Sequence, residues 1–136
     1  MKSKMKFNSL VPELIVSSID KSISFYKSLG FKIEYERKEN KFAFISLEGS
    51  QIMIQEKRDK EEWKTADIEY PFGRGINFQI EVKDIEKILN DLKKISWPLK
   101  VPLKINSYKT DKSIIRCKEF LIQDPDGYLL RFSQTL

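Results

Sequence analysis

The sequence predicts an α+β protein built from two tandem βαβββ modules. A repeat is the first observation behind this prediction: a helical apolar stripe recurs 66 positions later, so that Ile19, Ile23, Tyr26 and Leu29 correspond to Ile85, Leu89, Leu92 and Ile95. A second observation is an apolar strand pattern directly before each helix. The third is a turn signal: Glu48-Gly49 returns 78 positions later as Asp126-Gly127. The second module therefore carries about 12 extra residues.

The first module is predicted to span about residues 8–56. Ser18 suits a helix N-cap, Asp20 places a carboxylate in the first turn, and Gly30 suits the residue after the helix. A hairpin turns at 48–50. The predicted elements are a strand over 10–17, a helix over 19–29 and strands over 31–37, 42–47 and 50–56.

A highly charged connector over 57–74 is predicted to lead into the second module, 75–136. Its first strand alternates apolar and polar residues, and Asp84 suits the N-cap of its helix. The final hairpin turns at 124–127, where Asp, Pro and Gly each suit a type I turn. The predicted elements are a strand over 75–82, a helix over 84–95 and strands over 102–108, 114–123 and 128–133.

Composition and charge limit the kinds of molecule that the protein is expected to bind. The chain has 136 residues, 40% hydrophobic and 33% charged, which is typical of a soluble globular domain. No apolar run reaches the roughly 18 residues of a membrane span. The net charge of +5 comes from scattered lysines, so we expect neither a nucleic-acid interface nor a membrane partner. The single cysteine, Cys117, cannot form an intramolecular disulfide, and we expect a cytoplasmic protein.

The order and spacing of several short motifs resemble one known family. The chain resembles the glyoxalase/bleomycin-resistance/extradiol-dioxygenase group, the vicinal-oxygen-chelate superfamily, over nearly its whole length. The resemblance implies two βαβββ units whose curved sheets enclose a ligand cleft, usually in a homodimer. The motifs are Val11-Pro-Glu-Leu-Ile-Val16, Ser24-Phe-Tyr26, Leu29-Gly-Phe31, Gly73-Arg-Gly-Ile-Asn-Phe-Gln-Ile-Glu-Val82, Glu119-Phe120 and Asp124-Pro-Asp-Gly127.

Metal-dependent members of this group carry mostly His and Glu ligands on the first and fourth strands of each module. The chain has no histidine, and the corresponding positions are Val11, Met53, Asn77 and Arg131. Valine cannot coordinate a metal, and arginine is a fixed cation that would repel one. Asparagine and methionine are poor ligands for Zn, Ni or Fe at neutral pH. We therefore expect neither a metal nor another cofactor.

Without the metal, the chain is most similar to the bleomycin-resistance branch, which binds a ligand without making bonds. The predicted function is metal-independent binding of a small molecule, such as an antibiotic or a metabolite, by a homodimer. Bleomycin itself is not expected, because it is cationic and the chain carries +5. The alternatives are a glyoxalase-like lyase or isomerase, or another enzyme of the superfamily with an atypical site, and a dimeric scaffold or regulatory partner that binds no ligand.

The predicted cleft is lined by strand residues that face away from the helices, together with aromatic residues. Glu13 and Arg131 are predicted to pair there and to set the ligand preference. Core or interface packing is the alternative for the aromatic residues, and a purely structural salt bridge is the alternative for Glu13. Cys117 has no histidine to activate it and is expected to be an ordinary strand residue. The predicted ligand-binding residues are Glu13, Phe42, Phe44, Met53, Trp63, Asn77, Gln79 and Arg131.

Overall fold

Among the residues that the structure describes, each half of the chain has one α-helix and one four-stranded mixed sheet. The computed structural model describes residues 5–60 and 63–136. The chain divides between Asp67 and Ile68 into two units, which are called module 1 and module 2 below. This division falls within the connector predicted over 57–74.

Module 1 has the predicted βαβββ order. Strand β1 pairs with β4 in parallel, while β4 with β3 and β3 with β2 are antiparallel, so the sheet order is β1-β4-β3-β2. A short 3-10 turn, Lys38–Asn40, separates β2 from β3. The elements are β1 (Glu13–Val16), α1 (Ile19–Ser28), β2 (Lys32–Arg37), β3 (Phe42–Leu47) and β4 (Ser50–Glu56).

Module 2 repeats this topology. Its sheet order is β5-β8-β7-β6, with β5 parallel to β8 and the other pairs antiparallel. The predicted tandem βαβββ architecture is therefore confirmed. The elements are β5 (Asn77–Glu81), α2 (Ile85–Lys94), β6 (Val101–Lys109), β7 (Ile114–Gln123) and β8 (Leu129–Thr135).

Strand register confirms both spacings of the repeat. In module 1 Glu13 lies opposite Met53, and in module 2 Gln79 lies opposite Arg131. Glu13 and Gln79 are 66 positions apart, which is the spacing of the helix repeat. Met53 and Arg131 are 78 positions apart, which is the spacing of the turn repeat. The two sheets therefore share one register, and residues at equivalent positions can be compared directly.

The start of each helix is held in the same way. Ser18 Oγ accepts a hydrogen bond from the backbone N–H of Lys21, and Asp84 accepts one from Lys87, which confirms both predicted N-caps. The last strand of each module supplies a further acceptor. Glu56 Oε1 accepts from the N–H of Ile19 at 3.0 Å, and Gln134 Oε1 accepts from that of Ile85 at 2.9 Å. These side chains satisfy N–H groups that have no partner within the helix.

The apolar core of each module lies between its helix and one face of its sheet. Helix α1 packs against β3 and β4, and α2 packs against β8. Because strand side chains alternate, the other face of each sheet is not covered by the module's own helix. This second face is called the open face below. Buried core residues include Leu14, Val16, Tyr26, Ala43, Ile45 and Ile54 in module 1, and Ile80, Ile88, Leu92, Phe120, Ile122, Leu130 and Phe132 in module 2.

The turn that leads into β8 has the predicted form. Asp124 Oδ1 accepts hydrogen bonds from the backbone N–H groups of Asp126 and Tyr128, each at 2.9 Å. Gly127 has φ of +96°, and a Cβ there would lie 2.5 Å from Pro71 Cβ, so glycine is required for both conformation and space. None of the helices in the described part of the chain is long and apolar enough to span a membrane.

Candidate ligand-binding site

A cavity of about 270 Å³ lies on the open face of module 2. All four strands of the sheet contribute to it. The strand register places residues of β6, β7, β8 and β5 on the same face, so the cavity follows from the alternation of side chains. The lining residues are Gln79, Tyr108, Ile115, Cys117, Arg131, Ser133 and Thr135.

A buried carboxylate, Glu119, joins three of the lining residues. Glu119 is only 3% exposed. It accepts hydrogen bonds from the Tyr108 hydroxyl and, at 3.6 Å, from Cys117 Sγ. Asn106 Nδ2 donates a further bond at 2.7 Å, and Arg131 Nη1 lies 3.5 Å from Oε2. The carboxylate is therefore well satisfied, as a buried charge must be.

This network moves the pKa values of two groups in opposite directions. Burial alone raises the pKa of Glu119, but the hydrogen bonds from Tyr108 and Asn106 and the charge of Arg131 outweigh burial, so the pKa lies below its usual value. The bond to Glu119 raises the pKa of Tyr108, with burial and the negative charge acting in the same direction, and these effects outweigh the opposing effect of the nearby Arg131 guanidinium. At neutral pH Glu119 is therefore ionised and Tyr108 keeps its proton.

Arg131 has more donors than it uses. Its side chain is 27% exposed, and its ion pair with Glu119 involves Nη1. The Nε atom is buried and has no hydrogen-bond partner among the described residues. A guanidinium has five N–H donors, and a buried donor without a partner is energetically unfavourable. The cavity therefore contains a cation with unused hydrogen-bonding capacity.

The open face of module 1 is aromatic instead. Tyr35 and Phe44 stack with ring centroids 5.4 Å apart, and Tyr35 also contacts Phe42 at 5.9 Å. Phe7 meets Phe44 edge to face at 5.3 Å. The guanidinium of Arg37 lies 4.0 Å from the centroid of the Phe42 ring, in cation–π geometry.

The structure separates the predicted site residues into two groups. On module 1, Met53 lies opposite both Glu13 and Phe44, and Phe42 lies on the same face. On module 2, Gln79 and Arg131 are neighbours and both line the cavity. Asn77 lies opposite Leu129 and is not among the lining residues. Trp63 lies outside the strands and is 80% exposed.

The predicted pair of Glu13 and Arg131 involves one residue of each module and stays a prediction. Within module 2, the carboxylate beside Arg131 is Glu119, which the sequence analysis did not include among the site residues. Its signal was the alternation of β7: Phe120 and Ile122 are core residues, so Glu119 must face the other way. The contacts of Tyr108 and Asn106 with Glu119 had no comparable signal, because they depend on the pairing of β6 with β7, which places Asn106 opposite Cys117 and Tyr108 opposite Ile115.

The residues present do not suit the divalent metal of metal-dependent family members. Arg131 stands at one of the expected ligand positions, already next to a carboxylate. Glu119 uses its oxygens as hydrogen-bond acceptors within the network. Within residues 5–60 and 63–136, no three His, Cys, Asp or Glu side chains are placed together to hold a metal ion.

Comparison with solved structures found similar proteins from different sources, and the second and third of those named here have the same fold. A glyoxalase/bleomycin resistance protein/dioxygenase superfamily member from Vibrio splendidus 12B01 is 32% identical, with 91% of this chain and 95% of that chain covered and a TM-score of 0.42. A protein from the mobile metagenome of V. pseudocholerae is 18% identical (97% and 98% covered, TM-score 0.67). TioX from Micromonospora sp. ML1 is 14% identical (93% and 95% covered, TM-score 0.66).

Sequence comparison identifies the family. No match was found among curated proteins. The model of the Glyoxalase/Bleomycin resistance protein/Dioxygenase superfamily matches residues 6–132, which is nearly the whole chain. The repeated βαβββ topology and the shared strand register agree with this match. The protein therefore belongs to the glyoxalase/bleomycin resistance protein/dioxygenase superfamily.

Proposed function

We propose that this protein binds a small molecule on the open face of module 2, without a metal, in the manner of the bleomycin-resistance branch of its superfamily. The observation that carries the proposal is the cavity with Arg131 in its wall. Ligand sites combine apolar surface with a few polar groups that fix orientation. Here Ile115 and the ring of Tyr108 offer the apolar part, and Gln79, Arg131 and Ser133 offer the polar part.

The protonation states of the cavity favour binding over catalysis. A general base works best when its pKa lies near the operating pH. The pKa of Glu119 is lowered and its oxygens already accept hydrogen bonds, so it is a weak base. The pKa of Tyr108 is raised, so its phenolate is not formed at neutral pH. Neither group is therefore suited to proton transfer at neutral pH. This favours a binding protein over the enzyme alternatives.

A thermal-shift screen with matched variants tests the proposal. The library contains anionic, neutral and cationic small molecules, and the buffer contains a chelator. A ligand at about 100 times its Kd should stabilise the protein by roughly 2.7 kcal/mol, which is a shift of several degrees. Gln79→Trp should fill the cavity and weaken binding at least about tenfold. Asn77→Trp is the control, because Asn77 is exposed on the same strand and does not line the cavity.

Three results would contradict the proposal. The first is that no compound stabilises the protein. The second is that stabilising compounds bind equally well to Gln79→Trp and Asn77→Trp, which would place the site elsewhere. The third is conversion of a bound compound, or stabilisation that requires an added divalent metal, which would favour the enzyme alternative.

We also propose that the protein is a homodimer in the cytoplasm. Strands β2 and β6 stand at the ends of their sheets, and β6 exposes Ile105 and Tyr108. Unprotected sheet edges favour association with another chain, and the family resemblance agrees with a dimer. Light scattering that returns the mass of one chain at high protein concentration would contradict this part of the proposal.

A further inference from the structure

We infer that the ligand is a small monoanion and that Arg131 binds its carboxylate group. This inference rests on the proposed function and specifies the chemical class of the ligand. It depends on which edge of the guanidinium is free, on the charge beside it, and on the groups that surround the cavity.

The free edge of Arg131 matches a carboxylate. A guanidinium is planar, and its Nε and one terminal nitrogen form a fork that binds two carboxylate oxygens at once. In Arg131 the Nη1 atom approaches Glu119, while Nε lies on the opposite edge beside Nη2. The Nε atom is buried and has no hydrogen-bond partner among the described residues. The side chain as a whole is 27% exposed and lines the cavity, so a ligand carboxylate can approach its exposed part. A rotation of the guanidinium would then give the buried Nε its missing acceptor.

The carboxylates near Arg131 disfavour a ligand with two negative charges. Glu119 lies 3.5 Å from Nη1 and neutralises much of the guanidinium charge. Glu81, whose Oε2 accepts a hydrogen bond from the Thr135 N–H at 2.8 Å, adds a second carboxylate on the same sheet face. A dianion such as a phosphate monoester would meet twice the repulsion of a monoanion at these carboxylates. A carboxylate is therefore favoured over a phosphate.

Neutral groups complete the site. Ser133 and Thr135 bring hydroxyl groups to the cavity wall and Gln79 brings an amide, while Ile115 contributes an apolar surface. The cavity of about 270 Å³ suits a compact ligand with one small ring. Benzoate is therefore a suitable probe, and benzamide and phenyl phosphate are its neutral and dianionic counterparts.

Nuclear magnetic resonance titration of the full chain tests the inference. Benzoate should shift the Nε–H resonance of Arg131 and bind at least about tenfold more tightly than benzamide or phenyl phosphate. Arg131→Met should remove the preference for benzoate over benzamide. Arg116→Met is the matched control, because Arg116 is an exposed arginine of β7, and it should keep the preference.

A double variant separates binding from stability. Loss of Arg131 leaves Glu119 without its cation, so R131M is destabilised. E119Q/R131M removes both charges and should stay folded while lacking the preference for benzoate. If E119Q/R131M is folded and still prefers benzoate over benzamide, Arg131 is not the anion site and the inference is wrong.

The remaining outcomes distinguish the inference from the proposed function. Tighter binding of phenyl phosphate than of benzoate, or no binding of benzoate at the highest soluble concentration, overturns the inference. If neutral or cationic compounds from the screen bind and are sensitive to Gln79→Trp, the proposed function stands although the carboxylate preference fails. If no compound of any charge is sensitive to Gln79→Trp, the proposed function fails as well.

Discussion

The two modules share a register but carry different chemistry on their open faces. Phe42 lies opposite Gln55 in module 1, and the equivalent position of module 2 is Glu119, opposite Ser133. Phe42 is packed among aromatic rings under the Arg37 guanidinium. Glu119 is equally buried, but in a network of hydrogen bonds. Equivalent backbone positions thus carry an aromatic residue in module 1 and a buried carboxylate in module 2.

This difference shows that the topology depends on the helix-facing side of the sheet. Both modules bury an apolar stripe against their helix and both hold the helix start with a side chain of the last strand. The modules thus share both these features and the βαβββ arrangement. The open face carries no such requirement, and its residues can change without a change of fold. Four substitutions or conditions test this distinction, in order of decreasing effect.

Removal of an aromatic ring from module 1 should have the largest effect. Phe44 is 2% exposed and contacts both Phe7 and Tyr35. Phe44→Ala should lower the free energy of unfolding by about 3–5 kcal/mol, because it leaves a cavity. Leu121 is the equivalent residue of module 2 and is only half-buried, so Leu121→Ala should cost less than about 2 kcal/mol. Equal losses in urea unfolding would contradict the proposed difference between the faces.

Removal of the cation from module 2 should have the next largest effect. Arg131→Met leaves the Glu119 charge buried with its other hydrogen bonds intact. We expect a loss of about 1–3 kcal/mol in the free energy of unfolding, less than for a fully buried pair that loses a partner. A double variant that combines Arg131→Met with Glu119→Gln should recover part of this loss. A double-mutant cycle with no coupling between the two positions would show that the pair does not contribute to stability.

Stability should depend on pH through the module 2 network. The folded-state pKa of Glu119 is lowered, so its contribution is complete above its usual pKa of about 4.5 and is lost as the pH falls through the folded value. The folded-state pKa of Tyr108 is raised, so its contribution is lost as the pH rises through that value, above about 10. Glu119→Gln should flatten the acid side of the stability curve, and Tyr108→Phe the alkaline side. If the free energy of unfolding depends on pH in the same way in both variants as in the unchanged protein, the network does not contribute as described.

The smallest effect is expected at the helix start, where the modules are most alike. Glu56→Gln copies Gln134 of module 2 and keeps the acceptor for the Ile19 N–H. It loses the charge at the helix N-terminus and the ion pair with Lys41, whose nitrogen lies 3.0 Å away. We expect a loss below about 1 kcal/mol that shrinks at high salt. The reverse change, Gln134→Glu, should stabilise slightly. A loss as large as that of Phe44→Ala would show that the charge, not the hydrogen bond, holds the helix.

Local sequence patterns were enough to predict the repeated topology of this protein. Helix stripes, N-caps and the Asp124–Gly127 turn are local signals, because each depends on residues within a few positions of one another. Strand alternation also placed Gln79 and Arg131 on the open face of module 2. Local patterns of this kind can be read along one chain, and the structure confirms them.

The contacts between side chains of different strands depend on the tertiary structure. Asn106 and Tyr108 reach Glu119 because β6 pairs with β7 in a register that places them opposite Cys117 and Ile115. A shift of one residue in that register would turn both side chains to the other face. The partner of Arg131 within its own module depends in the same way on how β7 aligns with β8. Contacts between strands are set by long-range pairing, and spacing along the sequence does not contain that information.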